Sequence, residues 1–202
     1  MDHLLSVSAA ADGYAAHVEE LCRRYAAAAE RGGFDAIAVG SGVLEYRFAD
    51  DQAHPFAASA HFLQWVPLPE HPNSAVVFRP GHRPRLVVYH PEDYWYQPPP
   101  LPEEGFAREF ELRVIGKPEE LAAQLPGDAS RLALLGPEAQ WLGMAHWAVR
   151  NRPAVVNVLH YHRATKTAWE LACMRRAAAM AAPGHRAAAA AFHAGASEYD
   201  IL

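Results

Sequence analysis

Residues 75–90 read AVVFRPGHRPRLVVYH, and this stretch decides what kind of sheet the chain forms. Its two outer runs are rich in β-branched and aromatic residues, as β-strands usually are. The central PGHRP combines two prolines with a glycine, a composition typical of a turn. The stretch therefore predicts a β-hairpin of two antiparallel strands.

Strands and helices alternate on the carboxyl side of this hairpin. FELRVIG (110–116), RLALLG (131–136) and AVVNVLH (154–160) are predicted strands. KPEELAAQL (117–125) and PEAQWLGMAHWAVRNR (137–152) are predicted helices, each with proline in its first turn. Alternation of this kind indicates parallel pairing. Together with the hairpin, it predicts an α/β fold with a mixed β-sheet flanked by helices.

The amino-terminal side begins with a predicted helix that opens near Gly13 and ends at Gly32-Gly33, where glycine tolerates the left-handed backbone. FDAIAVG (34–40) is a predicted buried strand, which the Gly-Ser-Gly that follows brings to an end. LEYRF (44–48) and FLQWV (62–66) alternate apolar and polar residues and are predicted to be short strands.

Composition narrows the class of protein. The chain has 202 residues, of which 51% are hydrophobic and 20% charged, as in globular domains. Its net charge of -5 argues against a nucleic-acid partner, whose phosphates require a basic face. Acidic residues near the start do not resemble a secretion signal, and no apolar run is long enough to span a membrane. These features predict a soluble cytoplasmic protein.

Cysteine and histidine provide no complete metal site in the sequence. Cys22 and Cys173 each lie in an apolar helical pattern and are predicted to be buried, reduced thiols. His160 and His162 would share one face of the last predicted strand and could ligate zinc. They have no third ligand at a useful spacing, so we favour a hydrogen-bonding role for them.

The stretch DDQAHPF (50–56) is the most interesting polar segment. Adjacent carboxylates stand in a loop together with a histidine and a large apolar residue. On the residues alone, a solvated acidic turn is the favoured interpretation, because nothing nearby completes a catalytic set.

The composition changes after Tyr161 to an alanine-rich segment. Thr167 and Glu170 form a predicted capping box that opens a long helix. Pro183 is expected to kink or end that helix, with a new helix starting soon afterwards. Ser197 is a predicted N-cap of a further helix, of which only the first turn lies within the sequence. We therefore expect the chain to be a fragment of a longer protein.

Three tracts resemble the bacterial Xaa-Pro dipeptidase (prolidase) family. They are FADDQAHPF with HFLQWVPLPEHPNS (48–74), PRLVVYHPEDYWYQ (84–97) and the junction-like HYHRATKTAWELACMR (160–175). The resemblance implies a creatinase/prolidase-type N-terminal domain over 1–160 and a linker over 161–166. It also implies that 167–202 is the truncated α-helical start of a "pita-bread" metallopeptidase domain.

The family resemblance also implies a function. Such enzymes hydrolyse dipeptides with C-terminal proline by means of two divalent metal ions, usually manganese, whose ligands would all lie beyond Leu202. The N-terminal domain is implied to form a homodimer and to reach into the partner's substrate cleft. Asp51 matches the family's acidic loop, and His54 and Trp95 are candidates for the same place. No catalytic or metal-binding residue is expected in this chain.

A different class of function stays open on the sequence. The chain could be a self-standing, non-catalytic module that dimerises or binds peptides. The freshly capped turn that begins at Ser197 argues against this alternative, because a short isolated helix does not recover its nucleation cost.

Overall fold

The computed structural model describes residues 11–95, 97–102, 104–129, 131–144 and 147–201. The chain divides into two compact units, one ending at Thr165 and the other starting at Lys166. In the described ranges, no helix is both long and apolar enough to cross a lipid bilayer.

A single mixed sheet organises the first unit. Within the described residues it has six strands, in the order β4-β3-β2-β1-β5-β6. The strands are β1 (Ala36–Gly40), β2 (Ala75–Phe78), β3 (Arg85–Tyr89), β4 (Glu111–Ile115), β5 (Leu132–Leu135) and β6 (Val149–Arg150). The predicted hairpin is confirmed, because β2 pairs antiparallel with β3 and places Val76 opposite Leu86.

The directions of the strands determine from which end of the sheet each connecting loop leaves. β2 is antiparallel to both β1 and β3, so β1 and β3 run in the same direction. β4 is parallel to β3, and β5 is parallel to β1. The loops that follow β1, β3, β4 and β5 therefore all leave from the same end of the sheet, at the carboxyl ends of these strands. The predicted mixed α/β architecture is confirmed.

The helices of the first unit are α1 (Ala11–Gly32), α2 (Ala60–Trp65), α3 (Glu104–Ala107), α4 (Leu121–Gln124) and α5 (Pro153–Arg163). Short 3-10 turns cover Pro118–Glu120 and Glu138–Trp141. The predicted first helix is confirmed, and Gly33 has the left-handed φ of 73° that ends it.

The core lies on both faces of the sheet, since every residue of β1 is buried. On one face the Tyr25 ring meets Trp65 edge-on, with ring centroids 4.8 Å apart. On the other face Leu121 and Trp141 join a buried cluster with Leu134. A sheet covered on both sides requires strands that are apolar throughout, which is why the central strands carry such continuous hydrophobic runs.

Two predicted strands are helices in the structure. Residues 62–66 belong mostly to α2, which begins where the Ser59 hydroxyl accepts a hydrogen bond from the Phe62 NH at 3.3 Å. Residues 154–160 belong to α5, in which Val155 and Leu159 are buried at a helical spacing of four. The Ser59 cap in the first segment, and Pro153 at the helix start together with helical packing in the second, outweigh the β preference of the residues.

Two further predictions for the first unit were wrong. Residues 44–48 are not a strand; only Tyr46 makes an isolated bridge, with Ala53. The predicted helix over 137–152 is a 3-10 turn that stops at Trp141, after which Leu142 is extended and Gly143 has φ 75°. β6 then occupies the end of that segment.

The second unit contains α6 (Ala168–His193) and α7 (Glu198–Ile201). The capping box at Thr167 is confirmed, with Glu170 bonded to it in both directions. α6 continues through Pro183, so the expected end of the helix there was wrong; alanines on both sides, the strongest helix formers, sustain it. Cys173 is exposed, contrary to expectation, and Cys22 is half-buried.

Candidate functional site

Two exposed loops at the carboxyl ends of β1 and β3 carry all three predicted site residues. We call residues 44–54 and 90–95 together the acidic–aromatic rim. Its carboxylates are Glu45, Asp50, Asp51, Glu92 and Asp93, and its aromatic residues are Tyr46, Phe48, Tyr94 and Trp95.

The first loop of the rim is a small, closed hairpin. The Arg47 NH donates to the Gln52 carbonyl at 3.0 Å, and the His54 NH donates to the Glu45 carbonyl at 2.8 Å. Ala49 has a φ of 55°, which makes the tight turn, and the Asp50 carboxylate accepts the Gln52 NH at 3.1 Å. Asp51 therefore stands at the tip of an ordered turn.

The base of this hairpin is clamped to the end of β1. The Ser59 hydroxyl donates to the Gly40 carbonyl at 2.6 Å, and the Ser59 NH donates to the Ser41 carbonyl at 2.8 Å. The fully buried Ser41 hydroxyl accepts the Ser74 NH at 3.0 Å. The residues on either side of the hairpin, Ser41 and Ser59, are thus hydrogen-bonded to each other at the carboxyl end of β1.

Gln140 completes the clamp from a distant part of the chain. Its side-chain oxygen accepts the Gly42 NH at 2.7 Å, and its side-chain nitrogen donates to the Ser74 carbonyl at 2.9 Å. Gly40 must be glycine for this arrangement, because a Cβ there would lie 2.3 Å from the Gln140 oxygen. The sequence places Gln140 in a predicted helix over 137–152 and does not identify these hydrogen bonds.

The second loop of the rim follows β3. The Trp95 NH donates to the Asp93 carboxylate at 2.7 Å, which forms a local turn, and the Trp95 ring meets Tyr94 edge-on at 4.8 Å. A ring nitrogen of His90 lies 3.2 Å from the Pro99 carbonyl, and a ring nitrogen of His71 lies 3.2 Å from the Pro100 carbonyl. These two contacts tie down the proline-rich segment behind the loop.

Tyr89, the last residue of β3, lies at the base of the second loop. The pKa of Tyr89 is raised, first by burial and then by the negative charge of Asp93 and Glu119 and by Tyr46. Tyr46 belongs to the first loop and Asp93 to the second. Groups from both loops of the rim therefore contribute to the raised pKa of the Tyr89 phenol.

The large aromatic side chains of the rim are unusually exposed. Phe48 is 102% exposed and Trp95 82% exposed. Exposed aromatic residues grouped in this way are typical of binding surfaces. With carboxylates interleaved, such a surface is suited to a cationic or amphipathic group and contains no nucleophile with a base beside it.

The predicted site residues are placed as follows. Asp51 and His54 lie in the same hairpin, both exposed, and Trp95 lies on the other loop. Among the described residues, no protein group bonds to the Asp51 carboxylate. The structure places Asp51 and His54 in one hairpin. Trp95 lies on a separate loop, which leaves from the same end of the sheet.

The residues that the structure describes offer no divalent metal centre. In the described ranges, no group of three or more His, Cys, Asp or Glu side chains is placed to hold an ion. The histidine pair considered for zinc lies on helix α5, not on a strand, and the His160 ring stacks on His61 with centroids 5.0 Å apart.

Comparison with protein families decides what this unit is. A family model described as "Xaa-Pro dipeptidase, N-terminal domain" matches residues 12–161. The chain belongs to the Xaa-Pro dipeptidase N-terminal domain family. The family suggested by the sequence tracts is thereby confirmed.

Curated Xaa-Pro dipeptidases resemble the chain over nearly all its length. The protein from Stenotrophomonas maltophilia (strain K279a) is 44% identical over 188 residues, which cover 93% of this chain and 42% of that protein. The protein from Shewanella sp. (strain MR-4) is 38% identical over 201 residues, covering 100% of this chain and 44% of that protein. The chain thus spans less than half the length of these relatives.

Solved structures show the same fold at low sequence identity. Pseudomonas aeruginosa aminopeptidase PepP matches with a TM-score of 0.58 at 18% identity, covering 84% of this chain and 43% of that one. Escherichia coli aminopeptidase P with the inhibitor Pro-Leu matches with a TM-score of 0.54 at 18% identity, covering 82% and 43%. These matches confirm the fold of the Xaa-Pro dipeptidase N-terminal domain.

Proposed function

We propose that this chain is the N-terminal part of a metal-dependent Xaa-Pro dipeptidase, which cleaves dipeptides with C-terminal proline. One observation carries the proposal. Relatives named Xaa-Pro dipeptidase match almost the whole chain, but the chain spans only 42–44% of their length. The remaining length is where the catalytic machinery belongs.

The proposal assigns the two units different parts of the enzyme. Residues 1–160 form the N-terminal domain, 161–166 the linker and 167–202 the opening of the metallopeptidase domain. Two divalent ions, which we propose to be manganese, would supply a metal-activated hydroxide and polarise the scissile carbonyl. Their ligands would come from a segment outside these 202 residues, since the described residues offer no ligand cluster.

The acidic–aromatic rim is the part of this chain assigned to the substrate. A dipeptide has a free α-ammonium group, which a carboxylate recognises by a charge-assisted hydrogen bond. We propose that Asp51, with His54 and Trp95 beside it, enters the substrate cleft of the second subunit of a cytoplasmic homodimer. The exposed tip and clamped base of the hairpin support this role, because a reaching carboxylate must be both accessible and held.

A chimaeric polypeptide tests the proposal. Residues 1–202 are joined to the remaining segment of the S. maltophilia relative, and release of free proline from an Xaa-Pro dipeptide is measured with added Mn²⁺. We expect the chimaera to be active and the 202-residue chain to be inactive under the same conditions.

Two outcomes would contradict the proposal. Proline release by the 202-residue chain itself would show that it contains its own catalytic centre. An inactive chimaera that is folded and metal-loaded would favour a non-catalytic binding module.

A further inference from the structure

Within the described residues, strand β4 ends the sheet on one side and carries an apolar face that these residues leave partly uncovered. Leu112 and Val114 are the parallel partners of Leu86 and Val88 on β3. Parallel partners share a face of the sheet, yet the two β3 residues are fully buried while Leu112 is 36% and Val114 48% exposed. The apolar face of the sheet therefore extends beyond its protein cover at this edge.

The backbone of β4 has hydrogen-bonding groups that point away from the sheet. The Glu111 NH donates to Pro84 at 2.9 Å, and the Ile115 carbonyl accepts the His90 NH at 2.9 Å. In a parallel ladder alternate residues point to the same neighbour, so Glu111 and Ile115 face β3. The NH and carbonyl groups of Leu112 and Val114 consequently face outward, where another strand could pair with them.

We propose that β4 pairs antiparallel with β4 of a second copy of this chain, about a two-fold axis at Leu112. This inference deepens the homodimer proposed above and rests on it, because it names the surface through which the copies meet. In this register Leu112 lies opposite Leu112 of the second copy, and the two residues exchange both backbone hydrogen bonds.

Charge complementarity selects this register. With the axis at Leu112, Glu111 of each copy lies opposite Arg113 of the other. Within one chain the Glu111 carboxylate already bonds to the Arg113 guanidinium on the same face of the strand, and its other oxygen lies 3.2 Å from the Arg85 guanidinium on β3. Two such pairs side by side, in opposite directions, form a ring of four charges that alternate in sign, which stabilises the strand pair.

The neighbouring registers lack this match. An axis at Arg113 would place that residue opposite its own copy, and like charges opposite each other destabilise a sheet. An axis at Val114 would place Arg113 opposite the buried Ile115. The other end of the sheet is a poorer candidate, because β6 has only two residues.

The position of β4 agrees with the function proposed for the rim. Tyr89, which adjoins the rim, is the ladder partner of Ile115 at the end of β4. The outer edge of β4 lies on the opposite side from β3, so pairing there leaves both rim loops accessible.

Disulfide trapping tests the contact and its register. In a background with Cys22→Ser and Cys173→Ser, we expect Leu112→Cys to form a covalent dimer, because opposed Cα atoms lie about 5.5 Å apart. Val114→Cys is the matched control: its Cα atoms would be separated by four residues of rise, about 14 Å, which is too far for a disulfide. Equal trapping of both variants, or of neither, would overturn the proposed register.

Charge reversal tests the contact without cysteines. We expect Arg113→Glu to raise the dissociation constant of the dimer at least tenfold in analytical ultracentrifugation. Arg31→Glu, an equal charge change on α1, is the control and should have no effect.

Each outcome is decisive for this surface. A chain that is monomeric at all concentrations overturns the proposal. A dimer that is insensitive to Arg113→Glu, with an unchanged circular dichroism spectrum, also overturns the β4 contact but leaves the homodimer itself in place. Because the readout is association and not proline release, failure here is distinguishable from failure of the proposed enzymatic function.

Discussion

The side-chain oxygen of Gln140 accepts a hydrogen bond from the Gly42 NH at 2.7 Å, across a separation of 98 residues. Both groups are buried. This bond, with the one from Gln140 to the Ser74 carbonyl, holds the base of the loop that carries Asp51.

Removing the Gln140 amide is expected to destabilise the fold. Gln140→Ala leaves the buried Gly42 NH without its partner, at a cost of about 1–3 kcal/mol, while the Ser74 carbonyl still accepts the Ser41 NH at 2.8 Å. Urea unfolding should show a decrease in the free energy of unfolding in this range. Gln97→Ala, at an exposed position, is the control, and an equal effect of both changes would contradict the clamp.

Stability is expected to depend on pH through His61. Its ring stacks on His160, and both its ring nitrogens are buried with no partner among the described residues. The pKa of His61 is lowered from 6.5 to about 4, first by burial and then by the positive charge of Arg163 and by His160. Because the unfolded chain binds this proton more tightly, stability is lost as the pH falls from about 6.5 towards 4.

Replacing His61 with leucine should remove that pH dependence. Between pH 7 and pH 5 the wild-type chain is expected to lose about 1–2 kcal/mol more unfolding free energy than His61→Leu. His82→Leu, at an exposed histidine, should keep the wild-type dependence. Parallel pH profiles of wild type and His61→Leu in urea unfolding would refute the assignment.

Asp51 is expected to matter for substrate and not for metal. In the longer polypeptide, Asp51→Asn should raise KM or lower kcat/KM roughly tenfold or more, the effect of losing a charged hydrogen bond of about 1.5–3 kcal/mol. Metal content should not change. Asp50→Asn, which can still accept the Gln52 NH, is the neighbouring control, and unchanged kinetics of Asp51→Asn would remove this residue from the substrate site.

The first turn of α6 is expected to depend on its capping box. The Thr167 hydroxyl accepts the Glu170 NH at 3.2 Å, and the Glu170 carboxylate accepts the Thr167 NH at 2.7 Å. Thr167→Ala should destabilise the helix by about 1 kcal/mol. Faster hydrogen exchange confined to residues 168–171 would report this, whereas Thr165→Ala should leave the exchange rates unaltered.

The parts of the fold that were predictable are those with local signals. The hairpin over 75–90 has strand-forming runs around a proline–glycine turn, and the capping box at Thr167 needs only residues three apart. The segment 154–160 contains three valines and so resembles a strand. It forms a helix because Pro153 occupies the first helical position and because Val155 packs closely against Gly32 on α1.

The candidate site was only partly predictable for a related reason. The position of Asp51 came from the resemblance, since a pair of exposed aspartates by itself indicates no more than a turn. The clamp by Gln140 has no local signal, because it joins segments that only the finished sheet brings together. Long-range polar contacts of this kind follow from topology, not from composition.

The central proposal is that the metal ions that activate water bind to a segment outside these 202 residues. Its most direct test is equilibrium dialysis of the purified 202-residue chain against Mn²⁺, with bound metal measured by elemental analysis and the chimaera dialysed in parallel. We expect tight binding by the chimaera and no tight site in the chain. Tight, stoichiometric manganese binding by the 202-residue chain would contradict the account.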